Sequence, residues 1–164
     1  MDAYVAAGWA NLFVATLGGT AALTGLIFVG VSINLARIMS LPGVAERGLE
    51  AIVLLVTPLV ASLLGLVPQP PVALGVELLA TSLASLAVLA TLQTVQWRLV
   101  ERRYRSSLLA RMSLAGGATA AAAIAGLTLM LHAGGGLYWM VPALLLSILT
   151  AVASAWVLLV EIAR

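Results

Sequence analysis

Few side chains in this sequence could do chemistry, and Glu77 is the first to weigh. It lies in an otherwise uncharged apolar run and begins a stripe at i+4 spacing with Thr81 and Ser85; Gln96 follows further along roughly the same helical face. A carboxylate at membrane depth is costly, though less so near the surface. Three readings stay open: a proton or cation site, an interhelical hydrogen-bond anchor, or a carboxylate steadied by the amino-terminal half of its helix and interfacial water. His132, the single histidine, stands beside Gly134-Gly135-Gly136. It could form a pH-sensing pair with Glu77, because histidine is the residue that changes charge near neutrality, or it could simply occupy the membrane interface. Asp2, Glu77 and His132 supply neither the number nor the type of ligands a metal usually takes, so no metal is expected.

What is missing narrows the chemistry further. There is no cysteine, which removes thiol nucleophiles, thiolate metal sites and disulfides, and all eight basic residues are arginine, which removes lysine chemistry. Gly30-Val-Ser32-Ile-Asn34 lacks the last glycine of a nucleophile elbow, and the zinc-protease, phosphate-loop and dinucleotide patterns are absent. With one histidine and neither cysteine nor lysine, general acid–base machinery is short of parts. The expectation is a non-enzymatic protein without a cofactor.

The elements that must position these residues follow from composition. Of 164 residues, 63% are hydrophobic and 9% are charged, with a mean hydropathy of +1.16. So small a globule could not hide that much apolar surface, so the chain is an integral membrane protein. A transmembrane helix needs about 20 apolar residues. On that measure the sequence predicts one all-α membrane domain over 1–164, a bundle of five transmembrane helices near 10–36, 50–67, 73–97, 110–132 and 139–161. The breaks between them are Leu41-Pro42-Gly43 with Glu46, Arg47 and Glu50; Pro68-Gln69-Pro70-Pro71; the polar stretch 98–111; and the glycine run at 134–136. Pro58, inside the second helix, should free the carbonyl of Leu54 and kink the helix.

Arg37 and Arg47 flank the first connection, Arg98, Arg102, Arg103, Arg105 and Arg111 flank the third, and Arg164 follows the fifth span. All eight therefore fall on one side, which the positive-inside rule makes cytoplasmic, with the amino terminus outside and the carboxyl terminus inside. Trp9 and Trp139 fall at outer helix ends, and Trp97 and Trp156 at or near inner ones, as interfacial indoles should. A pI near 9.7 would suggest nucleic acid in a soluble chain; here topology accounts for the arginines and no nucleic acid is expected. Arg98, Arg102, Arg103 and Arg105 are candidates to contact anionic lipid or a cytoplasmic partner, with Glu101 and Arg105 spaced as a helical i+4 pair.

In the first helix Thr16, Thr20 and Thr24 recur at i+4, with Gly19 and Gly25 among them. Small residues let helices approach closely, so this is read as a helix-packing stripe, with a ligand-facing or pore-lining stripe as the alternative. Five spans leave little interior for a private solute path, so transport would call for a homo-oligomer.

The segment 12–34 (LFVATLGGTAALTGLIFVGVSIN), then Leu41-Pro42-Gly43 with Glu50, Pro68 and Leu74-Gly75-Val76-Glu77-Leu78 resemble small actinobacterial membrane proteins often labelled modulators of a membrane-bound ATP-dependent protease. The resemblance covers about 10–80. It implies a multi-pass protein of the bacterial cytoplasmic (inner) membrane with a regulatory role and a membrane-protein partner, and it carries no active residues. Two functions are expected to compete: an oligomeric ion or proton channel or transport-type protein with Glu77, Thr81, Ser85 and His132 on its path, and a regulatory or scaffolding protein that binds another membrane protein.

Overall fold

Glycine and proline set most of the helix boundaries. The computed structural model describes residues 2–99, 102 and 105–163, with side chains as far as Trp156. Six helices follow in order among them: α1 (Ala10–Ile33), α2 (Leu35–Ser40), α3 (Val44–Leu66), α4 (Pro71–Leu99), α5 (Arg105–Leu131) and α6 (Met140–Ala163), with single 3-10 turns at Ala6–Trp9 and Gly136–Trp139. Five segments are long and apolar enough to cross a membrane, each built on one of α1, α3, α4, α5 and α6. The chain is an all-α, multi-pass membrane protein.

Two boundaries differ from the sequence reading in ways that matter. α1 stops at Ile33, not near 36, because Asn34 leaves helical geometry (φ −109°, ψ 16°) and its Nδ2 donates to the Gly30 carbonyl at 2.9 Å. The short α2 then continues to Ser40. α3 begins six residues before the expected start at 50. Gly43 takes the left-handed conformation at φ 81°, which lets the chain turn straight into the helix, and Glu46 in the first turn suits the positive end of the helix dipole. Glu46, Arg47 and Glu50 therefore belong to the spanning helix and not to a loop. Pro71 opens α4, where its missing N–H costs nothing.

α3, α4, α5 and α6 form a four-helix ring in which each packs on two neighbours, while α1 lies outside it against α3 and only grazes α6. The tightest crossing joins α4 to α5. A β-carbon built on Gly75 would lie 2.7 Å from the Gly126 carbonyl oxygen, and one on Gly126 would lie 2.7 Å from that of Gly75. Only glycine lets two backbones approach so closely. The alanine-rich inner face of α5 (Ala115, Ala118, Ala122, Ala125) extends the same close approach along the helix.

The chain reverses at each connection, so α1 and α4 end where α3 and α5 begin. Arg37, Arg47, Arg98, Arg102, Arg105 and Arg111 gather at that end. Trp9, Phe13, Leu74, Leu129, Leu137 and Met140 build an apolar plug in the opposite half. Across that opposite end runs the amino-terminal segment. The Leu137 N–H donates to the Ala3 carbonyl at 2.8 Å, and the Trp9 indole N–H donates to the Asp2 carbonyl at 3.1 Å.

Candidate functional site

The strongest polar constellation lies at the arginine-rich end, about two helical turns inside the bundle. Glu50 is six residues into α3 and Arg111 six residues into α5, each about 9 Å from its helix start at 1.5 Å per residue. Glu50 is fully buried, and Arg111 forms a salt bridge to its Oε2. Two amides of α4 complete the shell: Gln93 Nε2 donates to Glu50 Oε1 at 3.2 Å and Gln96 Nε2 to Oε2 at 3.1 Å. Gln93 and Gln96 are i, i+3 neighbours on the buried ridge Leu74–Leu78–Ser82–Ser85–Leu89–Gln93–Gln96, so the helix itself aims both amides at one carboxylate. A carboxylate with both oxygens engaged by N–H donors from two other helices ties α3, α4 and α5 together. Two charges removed from water cost several kcal/mol each, which the pair recovers only while its geometry and its extra hydrogen bonds hold.

Sequence reasoning missed this cluster as a unit. Glu50 looked like loop charge, Arg111 like one more topological arginine, and Gln96 like the tail of the Glu77 stripe. The available signal was the pair Gln93 and Gln96 at i, i+3 inside an apolar run. Two buried amides on one face require polar partners from elsewhere in the bundle.

The residues of the Glu77 stripe do not share one environment. Glu77 is half-buried at the end opposite the arginines and accepts a hydrogen bond from Gln69 Nε2 at 2.8 Å; that same amide nitrogen donates to the Leu64 carbonyl at 3.0 Å. The carboxylate thus fastens the α3–α4 connection. Thr81 and Ser85 both line an external groove of about 440 Å³ between α3 and α4, away from the Glu77–Gln69 contact; Ser85 is buried at its floor and pairs with Thr57, oxygen to oxygen 2.8 Å. The physical reason is helical geometry: at 3.6 residues per turn each i+4 step rotates by about 40°, so the stripe slants out of one face. His132 is exposed with φ 49°, and its ring stacks on Tyr4 at 5.8 Å between centroids, whereas Glu77 takes its hydrogen bond from Gln69. Among the described residues no group of three or more His, Asp or Glu could hold a metal ion.

On α1 the packing stripe divides. Thr16 and Thr20 are buried, and Thr20 and Thr24 each donate to the carbonyl four residues back at 2.7 Å. Gly19 and Gly25 face outward, and a β-carbon on either, or on Gly18, would meet nothing within 4 Å. Ala15, Gly18, Ala22 and Gly25 thus form an open small-residue face on the helix that buries the least of itself, 17% of its most apolar stretch against 33% to 44% in the other spans.

The arginine cluster divides too. Arg98 and Arg102 are exposed, and the Arg105 guanidinium lies over the Trp97 ring at 4.9 Å, a cation–π contact. Glu101, Arg103 and Arg164 lie outside the described residues.

Pro58 is inside α3 and cannot donate to the Leu54 carbonyl; the Ser147 hydroxyl of α6 donates to that oxygen instead. The freed backbone group is thereby satisfied from a neighbouring helix, the usual condition for a proline within a membrane span. In comparisons with protein-family models, curated proteins and solved structures, nothing matches this chain.

Proposed function

We propose that the protein works by lateral association in a bacterial cytoplasmic membrane, as a non-enzymatic regulatory or scaffolding component, with its arginine-rich end in the cytoplasm. The carrying observation is the open face Ala15–Gly18–Ala22–Gly25 on α1, which no other helix covers among the described residues. Small residues there let a second transmembrane helix approach to backbone distance, and close packing is what drives helix association in lipid. Arg98 and Arg102 are placed to meet anionic head groups or an acidic partner surface. The resemblance over 10–80 supports a membrane-protein partner such as a protease complex on that face.

The test is site-specific photo-cross-linking in native membranes. A benzophenone amino acid at Ala22 should give a discrete adduct, and one at Leu145, exposed on α6, should not. Gly18→Leu should abolish the adduct. Equal labelling at both positions, or none at Ala22, would discard this reading.

A second reading keeps the oligomeric channel or transporter. Thr57, Thr81 and Ser85 line the external α3–α4 groove, so a path that includes Glu77 would run between subunits and not through one bundle. Ion or proton flux in liposomes that depends on Glu77 would favour it.

A further inference from the structure

α1 and α6 separate toward the arginine-rich end. In the opposite half, Trp9 and Phe13 share one apolar cluster with Met140 and Leu144 of α6. Further along α1, Leu23 and Ile27 still pack on the cluster that holds Ala151. Beside them a groove of about 200 Å³ opens between the two helices, walled by Leu23, Leu26, Ile27 and Val31 of α1 and by Val152 and Trp156 of α6. The one polar side-chain atom in its lining is the Trp156 indole nitrogen.

Length and chemistry select the occupant. From Leu23 to Val31 the groove follows eight residues of α1, about 12 Å at 1.5 Å per residue. The hydrocarbon core of a bilayer is about 30 Å thick, so one leaflet supplies about 15 Å. A partner's transmembrane helix needs a track through both leaflets, whereas this groove starts just past the middle of α1 and serves one. An acyl chain is apolar and of leaflet length. A headgroup at the end of the groove meets basic side chains. Of the charged side chains described there, six are arginine and two are glutamate, Glu46 and Glu50, and Glu50 is already bound by Arg111. Arg37 is the arginine that follows the groove in the chain. It sits on α2, directly after α1, and the adjacent Ile38 packs against Val31 of the groove wall. Arg37 is exposed and has no ion-pair partner among the described residues.

We propose that the α1–α6 groove is a binding site for an anionic glycerophospholipid, with one acyl chain lying from Leu23 to Val31 and the phosphate at Arg37. Trp156, 69% exposed on the facing wall, takes the place of an interfacial indole beside the upper part of that chain. The site does not depend on the lateral-association reading. A lipid seated there adds contact between α6 and the helix that the ring holds least, so anionic-lipid content sets how firmly α1 is held.

Photo-lipid labelling of the full chain tests this. Vesicles of phosphatidylcholine receive a trace of phosphatidylglycerol with a diazirine on one acyl chain, or the same probe with a choline headgroup. Adducts are mapped by peptide mass spectrometry. The glycerol probe should label 23–31 and 152–156 several-fold more than the exposed Leu86 and Leu145, and several-fold more than the choline probe labels the groove. Arg37→Gln should bring the two probes level. Ala155→Phe, which fills the groove from a half-exposed position, should lower groove adducts several-fold and leave those at Leu86 unchanged. Even labelling of all exposed faces, equal groove labelling by the two probes in wild type, a headgroup preference that Arg37→Gln leaves intact, or unchanged groove adducts in folded Ala155→Phe would each overturn the proposal. So would a groove without lipid adducts in which a benzophenone at Val152 cross-links two copies of the chain, an outcome that gives the groove to a second copy. Should Ala155→Phe not fold, the wild-type comparison of the two probes and Arg37→Gln decide.

Discussion

The two halves of this bundle are held together by opposite means. In the arginine-rich half, Glu50, Arg111, Gln93 and Gln96 join three helices through charge and directed hydrogen bonds. In the other half, an apolar plug and the Gly75–Gly126 crossing join helices through close contact, with hydrogen bonds kept to the connections and the amino-terminal segment. An ion pair near a helix end can borrow interfacial hydration as the helices assemble. Close packing of glycine and alanine asks for no solvent, and it serves here at a similar depth, with Gly75 four residues into α4 and Gly126 five residues from the end of α5. The lesson is that one short chain can use a fragile, specific lock at one end and a tolerant, shape-based one at the other.

Breaking the lock should give the largest effect. Arg111→Met strands the Glu50 carboxylate, and removal of one partner of a buried pair costs about 3–5 kcal/mol. Unfolding of detergent-solubilised protein by added denaturing surfactant should show that loss. Glu50→Leu with Arg111→Met removes both charges and should recover part of it: replacing a whole buried pair with apolar residues is often neutral, but here it also takes the acceptor from the buried Gln93 and Gln96 amides. A double variant no more stable than Arg111→Met would mean that the pair does more than offset itself.

That same lock shows why the site was harder to read in the sequence than the fold. Apolar runs interrupted by proline, glycine or charge are local signals, and so is the one-sided placement of arginine; together they reveal the five spans. The partnership of Glu50 with Arg111 joins residues 61 positions apart and depends on α3 starting at Gly43, a turn whose left-handed backbone a glycine permits but does not require. Glycine function is equally non-local. Gly19 and Gly126 look alike in sequence, each among small residues in an apolar run. Only the pairing of helices makes Gly126 a crossing point and leaves Gly19 open.

The crossing in the apolar half gives a sharper, smaller test, because α5 carries its own control. Gly126→Ala places a β-carbon 2.7 Å from the Gly75 carbonyl oxygen and 2.9 Å from the Leu79 nitrogen, both backbone atoms that cannot swing aside. Overpacking of this kind costs about 1–3 kcal/mol. Gly116→Ala, on the same helix with nothing within 4 Å of the new carbon, should be neutral or stabilising by about 0.5–1 kcal/mol, the difference in helix propensity. Opposite signs in the same unfolding assay would confirm that contact geometry, not glycine content, joins the second half.

Glu77 tests whether a carboxylate in the apolar half acts like the one in the lock. It is half-buried, it closes a connection and its one described partner is the neutral Gln69 amide, so no charge is stranded when its own is removed. In Glu77→Gln the new side-chain carbonyl can still accept from Gln69, and the cost should be no more than about 0.5–1.5 kcal/mol, the worth of a typical hydrogen bond. Stability therefore should barely move, which makes the variant a clean functional probe. Lateral association alone predicts no ion or proton flux through liposomes for either wild type or Glu77→Gln. A wild-type flux that Glu77→Gln abolishes in equally stable protein would instead assign the apolar half a transport role, with its path along the α3–α4 groove between copies of the chain.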